Sequence, residues 1–163
     1  MQDRGRFTVS LAKQDFKFAA AHFTLFGDAP AELLHGHNYR VEVHLDGETL
    51  DETGLLVDIQ AVKRRIRAAC DRLDERTLVP DQSSRVQIET RDGQVQLRFE
   101  GRTYELPEAD VLRLPVANVS MELLARMLWE EIAEVLHGSR VQSLRVTLHE
   151  TAGQSASYRD AIS

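Results

Sequence analysis

HGHNYRVEVHL, residues 35–45, is the stretch on which the fold turns. His35, His37, Tyr39, Val41, Val43 and Leu45 form one alternating series, and Asn38, Arg40, Glu42 and His44 form the other. A period of two belongs to a strand with one face inward. The spacing therefore predicts a strand over about 36–45 with two histidines at the start of its inward face. Upstream, Phe7 to Phe23 also alternates, with Phe16, Phe18, Ala20 and His22 in one phase. If the two strands pair as a hairpin, three imidazoles converge at one end of a sheet.

The remaining pattern completes an α+β order. Gly27-Asp-Ala-Pro30 marks a loop between the two strands, and LDGETLDETG a turn after them; Leu55–Val57 reads as a short extension of the sheet. Asp58 suits a helix N-cap, followed by Ile59, Val62, Ile66, Ala69, Cys70 and Leu73 at helical spacing, in a helix that stops before Pro80. Val86–Ile88, Val95–Phe99 and Thr103–Leu106 alternate between turn signals, as in a hairpin or meander. Asn118 or Ser120 caps a second helix with a stripe from Leu123 to Leu136 and a stop at Gly138. A last strand runs from Val141 to Glu150. The prediction is an antiparallel sheet with two helices on one face.

The chain has 163 residues, which fits a single domain over 1–163, and a net charge of −6. No basic run offers a nucleic-acid footprint. Cys70 is the lone cysteine, so no intramolecular disulfide forms and a reducing cytoplasm is the simple expectation. MQDRGRFTVS lacks an apolar leader core, and no stretch approaches the length of a membrane span.

Three neutral imidazoles with an open fourth position are what catalytic zinc uses. His22, His35 and His37 fit that pattern, with Gly36 read as keeping bulk away from the metal. The plainer alternative is three strand-end histidines with ordinary hydrogen bonds. His44, His137 and His149 fall in structural positions. Glu150 continues the apolar stripe of the last strand. A carboxylate sent inward needs a cation or a fork of N–H donors, unless it lies past the buried part of the strand.

FAAAH (18–22), HGHNY (35–39), LDE (73–75), NVSMELLA (118–125) and HET (149–151) occur in this order. Over nearly the whole chain the sequence thus resembles the 6-pyruvoyl-tetrahydropterin and 6-carboxytetrahydropterin synthase family. The resemblance implies a tunnelling fold: a four-stranded antiparallel sheet with two helices on one face, assembling as a homo-oligomer, a trimer or hexamer. It implies Zn2+ on His22, His35 and His37, and a pterin substrate whose 2-amino and N3 edge is gripped by Glu150. Ser120 and Glu122 stand where the family's P-T-x-E element shapes the pterin pocket, with Val119 replacing proline. Residues from about 80 to 115 exceed the compact members and resemble an inserted hairpin.

The chain also departs from that family. Its cysteine positions upstream of HGH are Ala29 and Ala31, and its Asp-His pair reads Asp74-Glu75. Cys70 sits on the packed stripe of the first helix and cannot substitute. ELLHGH instead resembles the subgroup with E-x-x-H-G-H, in which Glu32 takes the cysteine's place. That subgroup is associated with cleaving 7,8-dihydroneopterin triphosphate to 6-hydroxymethyl-7,8-dihydropterin. Glu32 is then the candidate base, and Asp74 and Glu75 are either a proton-sharing pair or a solvated cluster. Three functions stay open: a zinc-dependent lyase of this kind, a 6-carboxy- or 6-pyruvoyltetrahydropterin synthase with altered acid/base residues, and a non-catalytic pterin-binding protein.

Overall fold

The computed structural model describes residues 5–163. The expectation of no leader extends over residues 1–4, which lie outside that range. In chain order the elements are β1 (Phe7–Leu11), β2 (Lys17–His22), β3 (His35–Gly47), α1 (Ile59–Leu73), β4 (Arg76–Pro80), β5 (Gln87–Arg91), β6 (Gln94–Phe99), β7 (Arg102–Pro107), β8 (Val111–Leu114), α2 (Met121–Ala133), β9 (Ser143–Thr151) and β10 (Gln154–Ala161).

The long strand β3 organises the main sheet. One edge pairs antiparallel with β9, which pairs with β10; the other edge takes β2 at its start and β1 at its end. The alternating run from Phe7 to Phe23 is therefore two strands on one edge, broken at residues 12–16, where the Phe16 N–H donates to the Lys13 carbonyl. This antiparallel body carries α1 and α2 over one apolar core, with Tyr39, Val41, Val43, Leu45, Leu144, Val146 and Leu148 from the sheet beneath them. The α+β architecture expected from the pattern is the one observed.

The sheet is wider than expected. The first helix ends at Leu73, and the chain turns at once into β4, which runs parallel to β2; β8 then adds parallel to β4. Neither short strand has enough alternation to announce itself. Leu55–Val57 is not a strand, and β10 is an additional edge after the last predicted one. The Asp58 carboxylate does cap α1, accepting from the Gln60 N–H at 2.9 Å. The second helix ends at Ala133, and turns carry the chain to Gly138, whose φ is +74°.

Between the helices, β5, β6 and β7 form a separate three-stranded meander. Its alternation sends Val95, Leu97 and Phe99 onto Phe23, Leu25, Ala31 and Val79 in a second apolar cluster. The Phe23 and Phe99 rings stack with centroids 3.9 Å apart. This meander thus roofs the loop that joins β2 to β3.

At the end of β3, Gly47 is required by a close approach. A Cβ there would lie 2.5 Å from the Arg140 carbonyl oxygen and 2.5 Å from Leu56 Cδ1. The backbone oxygen cannot yield as a flexible side chain would. Gly47→Ala should destabilise the protein by about 1–3 kcal/mol, the usual cost of overpacking, measured as a lower denaturation midpoint with unchanged m-value.

Candidate metal and active site

The site follows from the register of β2 on β3. His22 pairs directly with His35, and Ala20 with His37, so the three imidazoles leave the same face of adjacent strands. One ligand atom from each lies within 4.8 Å of the others, a group that could hold a metal ion. Gly36 belongs to the alternate phase. A Cβ there would meet only the Ala20 carbonyl, at 3.6 Å, so the glycine makes no room for the metal within this chain.

Two of the rings are oriented by backbone. His22 Nδ1 donates to the Val119 carbonyl at 2.9 Å, and His35 Nδ1 to the Leu33 carbonyl at 2.7 Å. With the proton on Nδ1, each Nε2 presents a lone pair toward the cluster. His35 Nε2 faces His37 Nε2 at 2.9 Å. Among the described residues His22 Nε2 is buried without a hydrogen-bond partner, and it lies 3.2 Å from Glu150 Oε1. Although that distance falls within ion-pair range, two acceptors face each other there, because burial holds the imidazole below its ordinary 6.5. The Val119 carbonyl and the Glu150 charge oppose that shift and are outweighed. Converging lone pairs with an orphaned buried nitrogen suit a bound cation.

Glu150 lies inside β9, not beyond its buried part; it is 9% exposed. Oε1 accepts from the Tyr39 hydroxyl at 3.2 Å and lies 3.6 Å from His37 Nε2, while Oε2 accepts from the Gln154 side chain at 3.2 Å. Among the described residues no lysine or arginine pairs with it. Tyr39 stacks on Phe18 and is kept protonated, chiefly by burial and then by the Glu150 charge.

Glu32 sits in the loop before β3. Its Oε2 accepts from the Thr24 N–H at 3.0 Å and lies 4.0 Å from His35 Nε2. Its own N–H donates to the Thr24 carbonyl at 3.0 Å, so both ends of the residue are tied to the strand exit. Cys70 is buried in the helix–sheet core, and burial pushes its thiol up to about 12, which fits a packing residue.

Asp74 and Glu75 do other things. Asp74 Oδ1 accepts from the Ala19 N–H at 2.7 Å, and the Glu75 N–H donates to the Ala19 carbonyl at 2.7 Å. They join the helix end to the edge of β2, with Glu75 in the left-handed region at φ 56°. Neither reaches a histidine by a polar contact, although Glu75 shares with His37 and Asn38 the wall of a shallow cavity. Ser120 caps α2 by accepting from the Leu123 N–H at 3.3 Å, and Glu122 lies exposed in the first turn. The tie between this segment and the site comes from its neighbours. The Val119 carbonyl holds His22, and the Asn118 amide makes a two-way bridge to Leu25, 2.9 Å in each direction. Backbone partners such as Val119 and Thr24 carry no residue-type signal; Tyr39 was visible only as one more member of the inward phase.

The family model described as 6-pyruvoyl tetrahydropterin synthase matches residues 11–161. A curated relative from Methanocaldococcus jannaschii, provisionally named a 6-carboxy-5,6,7,8-tetrahydropterin synthase, is 32% identical over 88% of this chain and 89% of its own. The 6-pyruvoyl tetrahydropterin synthase of Plasmodium falciparum has the same fold, with a TM-score of 0.90 at 24% identity over 96% of this chain and 99% of its own. That of Plasmodium vivax superposes with a TM-score of 0.87 at 27% identity, over 97% of this chain and 99% of its own. Structures of the P. vivax protein also include variants in which a glutamate, described as a catalytic residue, is changed to alanine or to cysteine. The match along almost the full chain and the identity to the M. jannaschii protein agree with the histidine site built by β2 and β3: this chain belongs to the 6-pyruvoyl tetrahydropterin synthase family.

Proposed function

We propose that the protein is a zinc-dependent lyase acting on the side chain of 7,8-dihydroneopterin triphosphate or a related dihydropterin. The reaction is retro-aldol cleavage to 6-hydroxymethyl-7,8-dihydropterin. The observation that carries this reading is a carboxylate, Glu32, held 4.0 Å from His35 at the edge of three converging imidazoles. A catalytic glutamate in the P. vivax relative supports it.

His22, His35 and His37 would hold Zn2+, which supplies a Lewis acid for the side-chain oxygens of the substrate. Glu150 accepts from the 2-amino group and N3–H of the pterin; a buried carboxylate with only neutral donors gains from that fork. Glu32 removes the proton of the second side-chain hydroxyl. The O–H electrons form the new carbonyl, the bond between the first and second side-chain carbons breaks, and its electrons pass into the pterin ring. Those electrons return to the first carbon as it takes the proton from Glu32, so the hydroxymethyl group stays on the pterin and the second carbon departs as the aldehyde. Ser120 and Glu122 are assigned to the wall of the pterin pocket. A proton relay through Asp74 and Glu75 draws its support from the cavity Glu75 shares with His37. The trimer or hexamer implied by the family suits the half-buried polar face of the sheet, where His44 Nδ1 and Arg145 Nε lack partners among the described residues.

One observation favours a second reading. The M. jannaschii relative carries the 6-carboxytetrahydropterin synthase name, so formation of that product or of 6-pyruvoyltetrahydropterin is the competing outcome.

Zinc-loaded protein given dihydroneopterin triphosphate should release 6-hydroxymethyl-7,8-dihydropterin, identified by mass spectrometry; a carboxy or pyruvoyl product selects the second reading, and stoichiometric pterin binding without turnover a purely binding protein. Glu32→Gln should lower kcat by about a hundredfold or more, on the scale of general-base catalysis, while zinc stays bound. Because burial depresses the His22 pKa below 6.5, its neutral form stabilises the fold above that pH. In zinc-free protein, that stability is lost as pH falls from 6.5 toward the folded-state pKa, so the melting temperature should decline there, and less steeply in His22→Gln.

A further inference from the structure

The loop that carries Glu32 spans residues 23–34 without regular secondary structure, yet its backbone at Ala31 and Glu32 is gripped from one point. That point is the turn between β6 and β7. The Ala31 N–H donates to Glu100 Oε2 at 2.7 Å. Arg102 Nη1 donates to the Glu32 carbonyl at 3.0 Å, and both of its terminal nitrogens reach the Ala31 carbonyl at 3.4 Å. Arg85 closes the cluster. It donates to Glu100 Oε1 at 2.6 Å, to the Phe26 carbonyl, and to the Gly27 carbonyl at 3.5 Å.

Glu100 occupies the left-handed region at φ 50°, followed by Gly101 at φ 76°, a two-residue turn whose first position favours asparagine, aspartate or glycine. A glutamate there is sterically costly, and its carboxylate bridges a backbone amide and a guanidinium. Hydrogen bonds to Ala31 and Arg85 keep that carboxyl below its ordinary value, so it is charged where the loop needs an acceptor. Ala31 itself is buried in the same apolar cluster as Phe99, and the Arg102 guanidinium lies over the Phe99 ring, so apolar packing and polar grip act together at Ala31.

We propose that Glu100, with Arg102, is a positioning residue for catalysis: it fixes the Ala31–Glu32 backbone so that the Glu32 carboxylate stays beside the metal-binding histidines. The role rests on the reading of Glu32 as the base. It gives the meander between the two helices a function at a site to which it contributes no ligand.

Three preparations test this: Glu100→Ala, Glu100→Gln, whose amide oxygen still accepts from Ala31, and Glu100→Ala combined with Glu32→Gln. The zinc-loaded Glu100→Ala protein should lose about ten- to a hundredfold in kcat, the range for misplaced catalytic groups and their supports, with KM and zinc content unchanged. Amide hydrogen exchange over residues 24–34 should accelerate in Glu100→Ala, with and without zinc, and return toward the parent rate in Glu100→Gln along with part of kcat. On the Glu32→Gln background, Glu100→Ala should cost nothing further. Unchanged kcat, unchanged exchange, loss of zinc together with activity, or a fully additive double variant each overturns the role of Glu100 and leaves Glu32 as the base. Full turnover by Glu32→Gln alone overturns the base and this role together. If Glu100→Ala does not fold, Arg102→Met carries the same comparison.

Discussion

The antiparallel pairing of His22 with His35 is the constraint on which the rest of the molecule depends. A slip of one residue in that register would turn every inward side chain of one strand outward. His22 would leave the cluster, and Phe18 would lose its stack on Tyr39. The apolar residues that lock the register, Phe18 opposite Tyr39 and Phe16 beside Val41, are also the floor of the helix–sheet core. Packing energy therefore holds the imidazoles in place, and no local feature of the histidines could do so alone.

Burial sets the chemistry of that cluster as firmly as geometry does. A buried imidazole is costly to charge, so His22 is kept neutral and ready to act as a ligand even beside a carboxylate. The same low-polarity surroundings keep the Tyr39 hydroxyl protonated as a donor to Glu150. Glu150 accepts from two neutral donors and faces a nitrogen lone pair, an arrangement with too few protons for its lone pairs. Both the cation implied by the histidines and the N–H edge of a pterin would relieve it.

The loop between β2 and β3 solves a different problem. A segment of this length with no ladder hydrogen bonds needs partners for its backbone. Asn118 supplies them at Leu25, Thr24 and Glu32 supply each other, Arg85 serves the Phe26 and Gly27 carbonyls, and Glu100 and Arg102 serve Ala31 and Glu32. The result is an irregular loop whose backbone is held by side chains from segments far away in sequence.

How much of this was legible in the sequence depends on what carried the signal. Period-two and period-3.6 patterns placed β3, β9 and both helices, because an amphipathic face repeats along the chain whatever it packs against. The same patterns marked His22, His35 and His37 as in phase, and Glu150 as an inward carboxylate. Strands β4 and β8 escaped, since a short strand in a parallel arrangement has no alternation to read. The roles of Asp74 and Glu75 at Ala19, of the Val119 carbonyl at His22, and of Glu100 at Ala31 escaped for another reason. Each rests on a backbone amide or carbonyl, and every residue type offers those alike. The sequence by itself determined which faces turn inward and which side chains could bind a metal or take a proton. Only the tertiary structure decided which of them meet, because meeting depends on strand register and on hydrogen bonds between segments distant along the chain.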